Sequence, residues 1–403
     1  MGGIIKKIFH RGKKKNVAPI PDNLFVSLMS AVTDADIAAN RRLTQRMKTH
    51  VWRTPPTSFM FFTLCCTDFL AGGFKTHMDL IYAIYKKLHA KIYVCLVPEP
   101  YPADLELFYA GLKKYYPDLQ LQVLSIDQAH NTDTDVCIAL NVATIEAIRY
   151  NRCREKYLHA MDYEPMFFAS GVESAIFDFI YSQGFFTFTN SMALKKIYSD
   201  MNPGTPVFRY VPGIDSIYFG ARPARGDDMP RRIVVYARPA VPRNAFALLV
   251  PVFKSVKREF GDNVEIILVG QNFDVERYGL AGICTNLGKL NSLDDLAALY
   301  KTCDMGISLI TTPTFSYMHL QLMASGACLV TNGQSGVGDL LVDGENAVVV
   351  PPVPSIMADR ICQLLRRPDR LQKIARNGRQ TVAEYNWDKC FDSIIDFIVG
   401  PKD

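Results

Sequence analysis

The stretch SFMFFTLCCTDFLAGGFKTHMDLIYAIYKKLHAKIYVCLV, residues 58–97, decides the fold. An apolar run at 59–66 reads as a buried strand, and 91–97 reads as a second. Between them, residues 76–90 place Leu80, Ile81, Ile84 and Leu88 on one helical face, with Thr76 as the expected N-cap. Two strands joined by a helix form a parallel pair with a crossover. The alternation continues through a helix at 104–116, a strand at 119–126 and strand-like runs at 136–140, 156–161 and 185–189. Such a series demands a parallel sheet covered by helices on both faces. Ahead of it, 31–49 reads as a polar helix packed on this first unit.

Residues 221–232, ARPARGDDMPRR, break the pattern: they are polar, rich in Pro and Arg and without an apolar period, as a linker is. Alternation then restarts, with strands expected at 233–236, 264–269, 305–310 and 327–331 and helices at 245–260, 293–303 and 316–325. The 403 residues also exceed what one hydrophobic core usually serves. The expected class is therefore α/β with two Rossmann-like domains, at 20–220 and 221–385, behind a basic tail at 1–19. Ligands of such sheets sit beyond the carboxyl ends of the strands, so the cleft between the domains is the expected site.

Composition narrows the function. Apolar residues at 49% and charged residues at 21% suit a packed globular protein. The net charge of +5 lies in the first fifteen residues, where Lys6, Lys7, Arg11, Lys13, Lys14 and Lys15 meet no acid, which leaves 39 cations against 40 acids elsewhere. A nucleic-acid partner is therefore not expected. The tail can rest peripherally on an anionic membrane surface through its lysines and Ile4, Ile5, Ile8 and Phe9, or stay solvated as a plain basic tail. No apolar run reaches the length of a membrane span, and the start of the chain lacks the pattern of a signal peptide or a myristoylation site. The ten cysteines show no C-x-x-C spacing, and a reducing cytoplasm is the expected location.

Four strand-to-helix turns carry chemistry. The first, Ala71-Gly72-Gly73-Phe74-Lys75-Thr76, lets backbone approach a ligand and opens a helix toward an anion or acceptor, though an ordinary tight turn reads the same way. His77 follows it, as a phosphate or acceptor contact or as a plain helix-surface histidine. The second turn, Tyr236 to Phe246, offers Arg238 and Arg243, two permanently charged forks that can clamp a diphosphate; solvated loop arginines are the plain alternative. The third, Asn286 to Asp295, adds Lys289. The fourth leads into the helix that closes on Gly326, and its N–H groups near Ser316 and Tyr317 aim a positive dipole end at the cleft. In the first domain, Asp162 and Glu164 stand just past a strand, where one of them can orient an acceptor hydroxyl or take its proton, or simply cap the next segment.

These segments resemble the family-four glycosyltransferases of GT-B architecture. Asp162-Tyr-Glu-Pro-Met-Phe167, Tyr236-Ala-Arg-Pro with Arg243-Asn-Ala-Phe246, Gly288-Lys-Leu290 and Pro313-x-x-Ser-Tyr317 together are similar to the rhamnan-synthesis group that includes the S-layer glycan rhamnosyltransferase. The resemblance implies dTDP-L-rhamnose as donor and a growing polysaccharide, lipid-linked in some of these systems, as acceptor. It places Arg238, Arg243 and Lys289 at the diphosphate, Ser316 and Tyr317 at phosphate and sugar, and Gly270, Leu290 and Gln321 among the donor contacts. It implies retention of anomeric configuration and no metal or other cofactor; Asp34-Ala-Asp36 and Asp133-Thr-Asp135 then read as structural. It also makes the first domain the acceptor side and the second the donor side, with a C-terminal helix at 386–403, anchored by Trp387, crossing back to the first. Two positions depart from the family: Gln321 stands where a Glu is usual, and Thr314 where a His is usual. A nucleotide-sugar 2-epimerase on the same two units, or a catalytically degenerate subunit, are the competing readings.

Overall fold

The computed structural model describes residues 23–401, apart from 65, 67, 98–103, 225, 227, 228, 315 and 334–339. The basic tail read at 1–19 lies outside the described residues. The first sheet holds β1 (Ser58–Leu64), β2 (Lys91–Val97), β3 (Leu121–Leu124), β4 (Val136–Ala139), β5 (Glu155–Ala160), β6 (Phe186–Thr189) and β7 (Val207–Arg209), in the order β3-β2-β1-β4-β5-β6-β7. Every pairing in it is parallel. The second holds β8 (Arg231–Ala237), β9 (Val264–Gly270), β10 (Thr285–Asn286), β11 (Met305–Ile307), β12 (Cys328–Asn332) and β13 (Val348–Val350), in the order β10-β9-β8-β11-β12-β13, again all parallel. Strand order reverses at β1/β4 in one sheet and at β8/β11 in the other. Turns leaving those strands splay to opposite sides and open a crevice there.

Burial explains why these segments are strands. Phe59, Met60, Phe61 and Phe62 are all fully buried, which is the continuous apolar run of a strand covered on both faces. Two buried charges tie the leading helix Asp34–Met47 and the segment just after it to β5. Lys156 donates to Asn40 Oδ1 at 2.8 Å, and Glu155 accepts from His50 Nδ1 at 2.7 Å. Several short strands escaped the sequence pattern: β7, β10 and β13 are three residues or fewer, too short to show a period.

Two details differ from the sequence expectation. Helix Gly72–Leu88 begins four residues before Thr76, with Ala71 at its N-cap position. Thr76 is interior to the helix, and its hydroxyl donates to Gly72 O at 2.8 Å. The passage between domains also comes earlier than 220/221. Tyr210 belongs to the first core, whereas Ile214 and Tyr218 are already buried in the second, drawn there by apolar contact with helices Leu293–Thr302 and Tyr317–Ala324. The Pro- and Arg-rich segment after it is pinned by its own arginine: Arg222 donates to Cys303 O at 2.7 Å and to the carbonyls of Ser325 and Gly326.

The chain returns after Val382, buried in the second core, and helix Trp387–Val399 sends Cys390, Phe391, Ile394, Ile395 and Ile398 into the first. The outgoing and returning crossings touch. A Cβ on Gly213 would stand 2.4 Å from Trp387 N and 2.6 Å from Asn386 C, so only glycine lets the two backbones pass. Gly213→Ala is expected to cost about 2–3 kcal/mol, as forced overpacking does, read as a lower midpoint in urea; an unchanged midpoint would show that the crossings can part freely.

Candidate functional site

A cleft of about 610 Å³ lies between the two carboxyl edges and is lined from both domains. Its walls are the turns that leave the strands flanking each reversal of strand order: Asp68 and Gly72 after β1, Asn141 after β4, Arg238 and Arg243 after β8, Thr314 and Ser316 after β11.

Arg243 is the best supported of the cations. Its guanidinium stacks on Phe167 of the first domain at 4.2 Å, and its carbonyl accepts from Thr311 N at 2.9 Å, which fixes the β8 turn to the β11 turn. Burial lowers its pKa, opposed by Asp162 and Glu164, yet a guanidinium starts so high that it stays charged. Arg238 donates to Tyr236 OH at 3.2 Å. Gly270, at φ 116°, makes room for both: a Cβ there would meet the Tyr236 ring at 2.8 Å and Arg238 Cγ at 3.2 Å. Gly288, at φ 67°, likewise admits Asn272, whose Oδ1 accepts from Lys289 N at 3.1 Å. Lys289 reaches across the cleft to Asp68 Oδ2 at 2.6 Å, so an anion bound by Lys289 must displace a carboxylate.

Two helices open on the cleft. In helix Gly72–Leu88 the first intrahelical bond is Lys75 N to Ala71 O at 2.8 Å, which leaves the N–H groups of Gly72 and Gly73 at its positive end. Both glycines line the cleft, in ordinary helical backbone rather than a left-handed turn. In helix Tyr317–Ala324, Ser316 occupies the N-cap position and its side chain caps no N–H. Leu290 and Gln321 line the same wall.

Asp162 and Glu164 stand on the first-domain side. Asp162 Oδ1 accepts from Tyr163 N at 2.9 Å and Oδ2 from Thr312 Oγ1 at 3.4 Å across the interface. Glu164 Oε2 accepts from the buried Tyr181 OH at 2.6 Å. Burial pushes Asp162 up to about 6 and Glu164 up to about 7, with mutual repulsion adding to the latter and Arg243 opposing both shifts. Either group can therefore accept a proton from a hydroxyl near neutral pH.

One expected site residue, His77, is placed differently, and Tyr317 makes an additional contact. His77 is fully buried, its Nδ1 3.0 Å from His159 Nδ1, and His159 Nε2 is 3.0 Å from Tyr210 OH. Burial drives the His77 pKa down to about 3, so it is neither a helix-surface histidine nor a cleft residue. Position 77 lies one turn before Leu80 and Ile81, on the helix's apolar face, which packs on the sheet. Tyr317 lines the cleft, and its hydroxyl also reaches Met161 Sδ of the first domain at 4.0 Å while its ring would lie 3.2 Å from a Cβ on Gly72. It is a strut between domains. Its neighbours dock the same way: Ser191 Oγ donates to Pro313 O at 2.9 Å, and Thr314 Oγ1 donates to Met161 O.

The structure adds residues the sequence reading passed over: Asn141, Asn190 and Asn244 all line the cleft. Asn141 holds φ 53°, a left-handed conformation that asparagine tolerates better than most residues. Their one sequence signal is position, a polar residue soon after an apolar strand. The Asp-x-Asp pairs are engaged structurally: Asp36 completes a capping box with Thr33, and Asp135 accepts from Thr57 N at 2.8 Å and Ser58 N at 3.2 Å. Among the described residues no helix is long and apolar enough to cross a membrane.

The carboxylate shifts have a consequence for stability. A carboxyl whose folded pKa exceeds its unfolded value near 4 is easier to bury protonated, so stability declines as pH rises from about 4 to the folded value near 7. Glu164→Gln, which keeps an acceptor for Tyr181, is expected to gain about 2 kcal/mol over wild type at pH 8 and little at pH 4. Thermal melts at both pH values check this, and an equal gain at both would remove the ionisation as its cause.

Comparison with known proteins places this geometry. Residues 231–362 match the family model described as WsaF, C-terminal domain. The O-antigen biosynthesis protein RfbC of Myxococcus xanthus is 32% identical over 236 residues, 58% of this chain and 18% of that protein. An uncharacterized glycosyltransferase of Methanocaldococcus jannaschii, MJ1178, is 22% identical over 37% of this chain and 43% of its own. This chain thus spans less than half the length of either curated relative. Among solved structures, Anabaena Alr3699/HepE in complex with UDP and glucose superposes with a TM-score of 0.65 at 16% identity, covering 85% of this chain and 99% of that one. Sucrose-phosphate synthase from Thermosynechococcus elongatus gives 0.62 at 13% identity over 85% and 98%. With two facing parallel sheets the chain has the GT-B fold of these structures, and its second domain, over residues 231–362, is similar to the WsaF C-terminal domain.

Proposed function

We propose that this protein transfers a sugar from a nucleoside diphosphate to a growing cell-surface polysaccharide, with dTDP-L-rhamnose as the donor. The observation that carries the reading is the convergence of Arg238, Arg243 and the open start of helix Tyr317–Ala324 on one cleft, at the reversal of strand order in the second sheet. The leaving diphosphate gains negative charge in the transition state, and fixed cations and N–H groups stabilise it without reorganising. On this reading the bond from the anomeric carbon to the diphosphate oxygen breaks as the bond to the acceptor oxygen forms on the same face. The leaving phosphate oxygen takes the acceptor's proton, while Asp162 or Glu164 orients the acceptor hydroxyl. No metal is required, because the cations supply the charge.

Support for the finer points comes from different sources. Rhamnose rests on the WsaF-type domain and on the segments quoted from the sequence, polysaccharide on the similarity to RfbC, and a nucleotide donor on the likeness to a UDP-bound fold. Gln321 lines the donor wall with a neutral amide where a Glu is usual, which weakens the expected hydrogen bonds to a ribose. A lipid-linked acceptor and a cytoplasmic site at the inner face of a membrane, contacted through residues 1–15, complete the proposal.

A panel of nucleotide sugars read by thermal shift tests the reading. Stabilisation by dTDP or UDP, with glycoside formed only when an acceptor glycan is supplied, is the expected result; stabilisation by no nucleotide would overturn it. Arg243→Ala is expected to weaken binding of the nucleoside diphosphate by about 2–5 kcal/mol, the usual effect of removing one partner of a buried charged pair. Calorimetric titration measures this, and unchanged affinity would take Arg243 out of the diphosphate site.

A further inference from the structure

We propose that Asn244 reads a hydroxyl of the transferred sugar through its side-chain oxygen. The inference rests on the donor reading above and goes beyond it, since it assigns a residue that selects the sugar rather than the nucleotide.

Asn244 is 5% exposed and lines the cleft, and its Oδ1 is buried with no hydrogen-bond partner among the described residues. Buried polar atoms are rarely left unpaired, so such an atom bordering a ligand cleft points to a partner supplied by the ligand. The orientation of the amide is set from behind. Nδ2 donates to Leu309 O at 3.4 Å, and a flipped amide would set oxygen against that carbonyl. The backbone holds the residue firmly. Asn244 closes the short turn Pro242–Asn244, its N–H donates to Val241 O at 3.0 Å, and Ala245 is held at φ 49°, unfavourable for alanine. A strained conformation kept beside a ligand cleft is the usual mark of a positioned group.

Chemistry and topology then identify the ligand atom. An amide oxygen can only accept, so it cannot bind a phosphate oxygen; its partner is an O–H or N–H. Gly270 ends β9 and Leu290 follows β10, so both lie on the β9/β10 side of β8, where the donor reading seats the base. Arg238 and Arg243 follow β8 itself. Asn244 meets Leu309, two residues past β11, on the other side of β8. A ligand laid across these strands, with its diphosphate on the arginines, carries its sugar to Asn244 and its base away from it. On that side too stand Asp162 and Thr312, which meet across the interface at 3.4 Å.

The test compares dTDP with dTDP-L-rhamnose, or UDP with UDP-glucose if UDP is the nucleotide bound, by calorimetric titration on the full chain. In Asn244→Ala, affinity for the nucleoside diphosphate should stay within about two-fold of wild type, and affinity for the nucleotide sugar should fall about ten-fold, as for one lost hydrogen bond. Deoxy donors complete a cycle: one of them should lose about ten-fold on wild type and nothing further on the variant. Should the alanine variant not fold, Asn244→Asp keeps the acceptor oxygen. It should weaken both ligands by charge repulsion while preserving the ratio of their affinities. Equal loss of both ligands in Asn244→Ala, no loss of either, or a collapsed ratio in Asn244→Asp overturns the assignment. Failure of wild type to bind either nucleotide overturns the donor reading, and this inference with it.

Discussion

A strand can be followed by a parallel neighbour only after the chain has crossed back over the face of the sheet, so every strand-to-helix turn falls on the same edge. Two all-parallel sheets in one chain therefore own two such edges, and here the edges face each other. Residues far apart in sequence, such as Asp68, Asp162, Arg243 and Ser316, come to share one cleft for that reason alone. The reversals of strand order at β1/β4 and β8/β11 decide where along the edges the cleft is deepest.

What holds the edges in opposition is a small interface. The chain crosses twice between the domains, and the crossings pack Gly213 against the backbone at Asn386 and Trp387. The segment from Thr312 to Tyr317 adds contacts to the first domain, through the hydroxyls of Thr312, Thr314 and Tyr317 and the carbonyl of Pro313. Hydrogen-bonded contacts of this kind mark an interface about which domains can move. The segment that docks the domains also opens the donor-side helix, so a ligand at Ser316 acts on the same segment that sets the closure.

Two of the cleft's cations already face carboxylates. Asp68 neutralises Lys289, and the Asp162 and Glu164 pair faces Arg243. On the proposed reading, a dianionic donor entering here would replace those carboxylates as the partner of the cations. It would also raise the cost of keeping Asp162 and Glu164 ionised beside it.

The sequence by itself determined the two alternating α/β units and the strand-bearing segments, because apolar runs and helical periods are local properties. It also placed Arg238 and Arg243 correctly beyond a strand end, since a turn after a strand has only one edge on which to lie. Tertiary structure decided the rest. The crossing at Gly213 was invisible because Ile214 and Tyr218 show an apolar character that suits either core. His77, expected at the cleft or on a helix surface, is buried because it lies one turn before Leu80 and Ile81 on the face that packs on the sheet. Asn244 shows in the sequence only as a polar residue after a strand, inside the Arg243 to Phe246 segment. Its unpaired oxygen exists only because Leu309, sixty-five positions away, claims the other side of the amide.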